Sequence, residues 1–297
     1  MRILLTGASG LIGSALGAFF RSNQDEVYQL TRKKAASLPY EISWNPAAGL
    51  LAAELLEGFE VVIHLGGEPL VGRWTESKKQ AIMKSRVEGT RLLADVLSTL
   101  AHPPRVFISA SAIGYYGSRG EQQLFESSSQ GKGFLAEVCA EWEAAARPAA
   151  RSGIRTVFLR TGMVLSPQGG ALKKMLLPFK LGLGGILGTG NQYMSWIDLD
   201  DLVRAVHYLA QEPSIQGPVN MVAPFPVTNA VFTKTLAHVL HRPAPFRMPG
   251  WLLSLLFGEV AEEILLASQR VEPSVLIEKG FTFQYPSLEE SLLKLKI

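Results

Sequence analysis

Cysteine is nearly absent. The 297 residues hold one, Cys139, which excludes an intramolecular disulfide and leaves any cysteine-built metal site short of ligands. A reducing, cytoplasmic compartment fits. Excess charge of one sign is missing too. Lys plus Arg number 29 and Asp plus Glu 26, so the formal charge of +3 argues for neither a nucleic-acid nor a membrane partner, while a small anionic ligand is compatible. Long apolar runs are also lacking: the nearest, Trp251 to Phe257, falls far short of the roughly 20 residues that a membrane-spanning helix needs. The opening Met1-Arg2-Ile3-Leu4-Leu5 imitates the start of a secretion signal, but Thr6, Gly7, Ser9 and Gly10 interrupt it at once. Internal repeats and low-complexity tracts are absent.

What is present is apolar material, 47% of residues, enough to bury a full core in one large domain, alone or with a smaller companion. Short β-branched runs alternate with amphipathic segments through the first half, the pattern of βαβ units around a parallel sheet. The spacing predicts strands near Arg2 to Thr6, Glu26 to Thr31, Glu60 to Leu65, Arg105 to Ser109 and Thr156 to Arg160, and a last one at Val219 to Ala223. It predicts helices near Leu11 to Arg21, Leu50 to Leu56, Thr75 to Leu100 and Phe134 to Ala150, the last ended or kinked by Pro148. From Gly162 to Gly190 the glycine density rises, and loops, turns and short strands are expected there. Thr228 is placed to cap a helix ending near His241, and Pro243, Pro245 and Pro249 precede a small helical appendage.

The strongest motif is Thr6-Gly7-Ala8-Ser9-Gly10-Leu11-Ile12-Gly13, between the first strand and the first helix. Gly7 permits the tight turn, Gly10 lets the backbone approach a phosphate, and Gly13 allows close packing of helix on strand, so the free N–H groups at the helix start face a pyrophosphate. The expected class is therefore α/β: a Rossmann-like doubly wound parallel sheet over residues 1–243, followed by a smaller C-terminal helical or substrate region over 244–297. The second strand ends in Thr31-Arg32-Lys33-Lys34. An NAD site normally ends that strand with a carboxylate for the ribose 2′-hydroxyl, whereas a 2′-phosphate needs cations. NADP(H) is the expected cofactor, with Arg32 as the fork and Lys33 as a secondary charge beside Thr31. Further along, His64-Leu65-Gly66-Gly67 ends another strand, where small residues let the cofactor lie close; His64 itself reads as a half-buried strand residue, neither catalyst nor metal ligand.

These motifs, with Glu68-Pro69, Gly72-Arg73-Trp74, Ser85 to Thr90, Ser109 to Gly117, Phe134 to Glu143, Arg160-Thr161-Gly162 and Ser195 to Asp198, resemble the NAD(P)-dependent epimerase/dehydratase group of extended short-chain dehydrogenases, in an atypical branch. Gly258-Glu259, Ala267 to Arg270 and Gly280-Phe281 resemble that branch's C-terminal domain of unknown function, so the likeness spans the whole chain. It implies cofactor contacts that include Ser109 and Arg160, and it is compatible with a homodimer through helices. In the wider superfamily a Ser after the fifth strand and a Tyr-x-x-x-Lys pair on the next helix carry hydride chemistry. The Lys lowers a phenol pKa that is otherwise near about 10. Ser111 matches the Ser. At the positions of the pair stand Phe134 and Val138, or Leu135 and Cys139.

The candidates for chemistry are then Ser111, to bond a substrate carbonyl, and Tyr115 or Tyr116, to supply the proton, the alternative for both tyrosines being packing at the sheet edge. Glu137 and Glu141 are more plainly a solvated helix face, Cys139 a core residue, and Arg73, Arg160 and Lys173 candidate contacts for an acidic substrate. Two readings stay open: an NADP(H)-dependent oxidoreductase or epimerase on a small carbonyl, alcohol or nucleotide sugar, and a cofactor-binding regulatory or scaffold protein without turnover. A third is partner binding through the apolar Trp251 to Phe257 cluster.

Overall fold

The computed structural model describes residues 1–32, 39–70 and 72–295. In chain order, β1 (Arg2–Thr6), α1 (Leu11–Ser22), β2 (Glu26–Thr31), β3 (Glu41–Ser43) and β4 (Val61–His64) lead to α2 (Glu76–Leu97) and β5 (Val106–Ala112). Next come β6 (Gln123–Leu124), α3 (Phe134–Ala145), α4 (Arg147–Arg151), β7 (Arg155–Thr161), β8 (Met163–Leu165) and α5 (Gly170–Lys180). These are followed by β9 (Gly185–Leu187), β10 (Tyr193–Met194), β11 (Trp196–Asp198), α6 (Leu199–Gln211) and β12 (Gly217–Met221). The remainder holds β13 (Val227–Thr228), α7 (Asn229–Val239), β14 (Phe246–Met248), α8 (Gly250–Phe257), β15 (Arg270–Val271), α9 (Ser274–Glu278) and α10 (Leu288–Lys294).

Seven strands form one sheet in the order β12-β7-β5-β4-β1-β2-β3, all pairs parallel. Alternation along β1 sends Ile3 and Leu5 into one core layer with Leu16, Phe20 and Val206, and Leu4 into the other with Leu93, Leu97 and Ala149. Helices thus cover both faces, as near-continuous apolar strands require. The chain runs outward from β1 to β3 and then returns to the other side of β1 with β4. That reversal opens a crevice at the carboxyl ends of β1 and β4, where ligands of such sheets bind.

The C-terminal segment is stapled across the rest. β14 pairs with β9 and β15 with β6. Asp198, fully buried, accepts from Ser291 Oγ at 2.7 Å and Lys294 Nζ at 2.6 Å. Asp201, also buried, accepts from the Gln284 and Tyr285 amides at 2.8 Å. Buried carboxylates persist only with such partners.

Three expectations change. Leu50 to Leu56 is not an α-helix: two 3-10 turns, Pro46–Ala48 and Ala53–Leu56, flank residues 49–52 instead, because Gly49 takes a left-handed conformation that stops the first turn. The glycine-rich span contains a whole helix, α5, whose buried Leu172, Leu176 and Phe179 lie at helical spacing between the glycines. α6 was not anticipated either, although Asp198 caps it and Leu202, Val203, Val206 and Leu209 form its buried stripe.

Candidate functional site

The glycine loop sits at the head of the crevice. Gly7 has φ +67, and a Cβ there would lie 3.0 Å from the Leu65 carbonyl carbon and oxygen. A Cβ on Gly13 would lie 2.8 Å from the Gly7 carbonyl carbon, with the Gly7 oxygen nearer still. Both positions need glycine for contact between β1, β4 and α1. The start of α1 is left open: its N-cap, Gly10, offers no side chain, and no acidic residue stands in the first turn. The caps of α2, α6, α7 and α10 differ, with Thr75, Asp198, Thr228 and Ser287 each accepting from a helical N–H. In α1 the Ser14 amide bonds the Gly10 carbonyl at 2.9 Å, so the amides of Leu11, Ile12 and Gly13 precede the helical ladder. They suit an anion from outside.

Thr6 fastens this loop to β4. Its Oγ1 accepts from the Leu65 amide at 3.0 Å and the Gly66 amide at 3.2 Å, and lies 2.7 Å from His64 Nδ1. With two donors already on the oxygen, the hydroxyl proton goes to Nδ1, which leaves His64 neutral with its proton on Nε2. Burial alone pushes the imidazole pKa down to about 4. His64 is 1% exposed rather than half-buried, and its Nε2 has no partner among the described residues. It lies edge to face with Trp44, ring centroids 6.0 Å apart. Leu65 and Gly66 run along the loop, Gly67 lies against the Arg86 guanidinium, and Ser109, fully buried, is the register partner of His64.

At the far end of the crevice, exposed Arg32 lines a cleft of about 570 Å³ together with Ser43, Trp44, Asn45 and Leu50. Thr31 ends β2 beside it. Glu68, near enough to feel Arg32, is drawn off by Lys78: a 2.7 Å bond to Lys78 is the main reason its carboxyl pKa lies below the usual range. Lys33 lies outside the described residues.

The candidate catalytic residues stand at the carboxyl end of β5, in a network that the sequence did not announce. Glu143 of α3 holds Arg160 of β7 through two bonds, Nε to Oε1 at 2.8 Å and Nη2 to Oε2 at 2.9 Å. Ser111 Oγ donates to the same Glu143 Oε1 at 2.8 Å. Arg160 Nη1 donates to the Tyr116 hydroxyl and the Glu126 carbonyl, and the Tyr116 hydroxyl donates to Asn220 Oδ1 at 2.7 Å. Burial opposes the Arg160 charge, yet the Glu143 bonds hold its pKa above the ordinary value.

Four of the five guanidinium hydrogens of Arg160 are engaged by Glu143, Tyr116 and Glu126, so the side chain that the resemblance assigns to the cofactor is chiefly tied into this network. Tyr116 is fully buried, and burial pushes its phenol up to about 12. Tyr115 is half-buried, its ring 3.5 Å from the Arg160 guanidinium carbon. Ser111 is 4% exposed.

At the positions that the resemblance assigns to a phenol and an ammonium, α3 carries packing. Leu135 and Cys139 close on Gly114, whose added Cβ would meet Leu135 Cβ at 3.2 Å and Cys139 Sγ at 3.7 Å. Phe134 packs edge to face on Trp74, and Val138 is buried in the cluster with Trp74 and Ile82. Burial pushes the Cys139 thiol up to about 12, as a core cysteine requires. Glu137, Glu141, Arg73 and Lys173 are exposed.

The family model of the NAD dependent epimerase/dehydratase family matches residues 3–222, and a domain of unknown function, DUF1731, matches 248–295. The chain belongs to the NAD dependent epimerase/dehydratase family. An epimerase family protein of Mycobacterium bovis is 41% identical over 291 residues, 98% of this chain and 96% of that one. The epimerase family protein YfhF of Bacillus subtilis is 35% identical over 300 residues, covering 99% and 98%. Among solved structures, the human epimerase family protein SDR39U1 (isoform 2), determined with NADPH, superposes with a TM-score of 0.89 at 32% identity over 99% of both chains. A Corynebacterium glutamicum protein described as a nucleoside-diphosphate sugar epimerase gives 0.82 at 37% identity, over 99% of this chain and 58% of that one. More distant epimerase and dehydratase structures, such as a dTDP-glucose 4,6-dehydratase of Streptomyces venezuelae at 18% identity and TM-score 0.77, share the fold.

Proposed function

We propose that this epimerase-family protein binds NADP(H) and acts as an oxidoreductase or epimerase on a small carbonyl or alcohol, with nucleotide sugars among the candidate substrates. One observation carries the reading: α1 begins uncapped and acid-free against Gly7 and Gly13, a cradle that a single Cβ would fill. Leu11, Ile12 and Gly13 hold the pyrophosphate through their amides, and Thr6 keeps that loop on β4. Arg32 takes the 2′-phosphate, for which the end of β2 provides no competing carboxylate. The NADPH in the human relative supports the same choice. When bound, the nicotinamide supplies or accepts the hydride.

The chain's own part is then to orient the carbonyl and move one proton. Tyr115 is the better donor of the two tyrosines, since the Tyr116 hydroxyl is committed to Asn220 and Ser111 to Glu143. Titration with NADPH and NADH tests the cofactor reading. Arg32→Ala is expected to weaken NADPH by about tenfold or more and to leave NADH nearly unchanged, a charge-assisted bond being worth about 1.5–3 kcal/mol.

A second reading has its own observation. The tight packing of Leu135 and Cys139 on Gly114 supports a protein that keeps the cofactor and has given up acid–base turnover. A panel of carbonyl compounds separates the two. Oxidation of NADPH that Tyr115→Phe suppresses favours the enzyme, and binding without oxidation by any of them favours the second reading.

A further inference from the structure

Acidic residues are unevenly spread along this chain. None occurs between Glu143 and Asp198, nor between Glu212 and Glu259. The fold joins these two acid-free tracts: β9 pairs with β14, Arg242 Nε donates to the Lys180 carbonyl at 3.0 Å, and Gly182 lies against the Pro243 ring. α5, β14 and α8 are thereby carried on adjoining segments.

Apolar side chains of these segments stand in solvent. Leu181 is 64% exposed, Phe246 53%, Trp251 70% and Leu255 74%, while Leu253 on the opposite side of α8 is 1% exposed and anchors the helix. Several large side chains so exposed make an apolar patch of several hundred Å², roughly the upper range for a monomer with no partner. Lys173, Lys174, Lys180, Arg242 and Arg247 are carried by the same segments, all exposed, and none is bridged by a carboxylate of the described residues. Of the carboxylates that follow α8, Glu259 pairs with Lys79 at 2.6 Å and Glu263 accepts from the Phe134 and Leu135 amides at the start of α3, while Glu262 stays exposed.

We propose that this face docks the protein on the surface of a membrane rich in anionic lipid. Trp251, Leu255 and Phe246 enter the interface while the cations face the headgroups, the arrangement of a peripheral amphipathic anchor. Among the described residues no helix is long and apolar enough to cross a membrane, so the contact lies in the plane of the surface. A second copy is the weaker occupant, because a two-fold interface sets the same patch against itself and would bring like cations together. The expectation of no membrane partner rested on net charge, which averages over the whole molecule and hides a one-signed face.

The test is co-sedimentation of the whole protein with phosphatidylcholine vesicles, with and without phosphatidylglycerol. Binding to the anionic vesicles is expected, with a blue shift in tryptophan emission and release in high salt. Leu255→Ser with Leu256→Ser, both exposed positions, is expected to abolish binding while leaving the melting temperature and nucleotide binding unchanged. Lys174→Gln with Arg247→Gln is expected to lower the vesicle partition coefficient roughly 25-fold, about fivefold per charge. The proposal is overturned by failure to bind anionic vesicles or by equal binding to neutral ones. It is also overturned if the protein sediments without vesicles as a dimer that Leu255→Ser disrupts, which assigns the face to a second copy.

Discussion

Removing the Glu143 carboxylate should cost far more stability than one exposed ion pair, and the structure says how much. The Arg160 and Glu143 side chains are 4% and 12% exposed, and two charge-assisted bonds join them. In Glu143→Ala the guanidinium stays buried with two donors unmatched, a change that costs about 3–5 kcal/mol. Ser111 loses its acceptor as well, adding roughly 1 kcal/mol. Against a total stability on the order of 5–15 kcal/mol, the variant keeps only part of its margin. Urea unfolding followed by circular dichroism reads this as a lower midpoint at constant slope. Glu143→Leu with Arg160→Met removes both charges, and most of the loss should return, because the cost lies in the stranded cation. Since Arg160 spends four of its five hydrogens inside this network, the double variant is expected to bind NADPH nearly as the parent does. A single variant within about 1 kcal/mol of the parent, or a double variant whose loss equals the sum of two separate losses, refutes the reasoning.

Three further outcomes follow from the same geometry. His64 is buried neutral with its pKa near 4 against an ordinary 6.5, so the unfolded chain takes up the proton first and stability falls as pH drops through 6.5 toward 4. At pH 5 the loss is about 2 kcal/mol, read as the difference in urea midpoint between the parent and His64→Gln at pH 7 and pH 5. Gly13→Ala drives a methyl into the Gly7 carbonyl, and loss of nucleotide binding together with about 1–3 kcal/mol of stability is expected in the same titration and melt. Cys139, buried with a thiol near 12, should resist a thiol reagent in the native state and react fully after unfolding in urea; rapid native labelling would contradict its place in the core.

Much of the fold was legible because its signals are local. β1, β2 and β7 are short strands between turn residues, and Gly7, Gly10 and Gly13 fall where a strand meets a helix, so both the sheet and the glycine loop at its carboxyl edge could be placed from neighbours in the chain. α5 and α6 were hidden by their surroundings: flanking glycines masked the Leu172, Leu176, Phe179 stripe, and Asp198 as a cap carries weight only once the apolar period after it is counted. The network at the end of β5 was illegible for a different reason. Ser111 and Tyr116, Glu143, Arg160 and Asn220 come from separate stretches of the sequence, and the parallel register of β5, β7 and β12 with α3 packed beside it brings them together. Arg160 looked like a free cation for a ligand because its partner sits on a helix 17 positions earlier. Trp44, which lines the Arg32 cleft and packs on His64, lay just past β3, an edge strand too short to show a period.

The most direct test of the central claim is a crystal structure of the protein grown with NADPH. The pyrophosphate is expected over the amides of Leu11 to Gly13 and the 2′-phosphate within hydrogen-bond reach, about 3 Å, of the Arg32 guanidinium. Crystals with no nucleotide in the crevice, or with the 2′-phosphate turned away from Arg32, would contradict it.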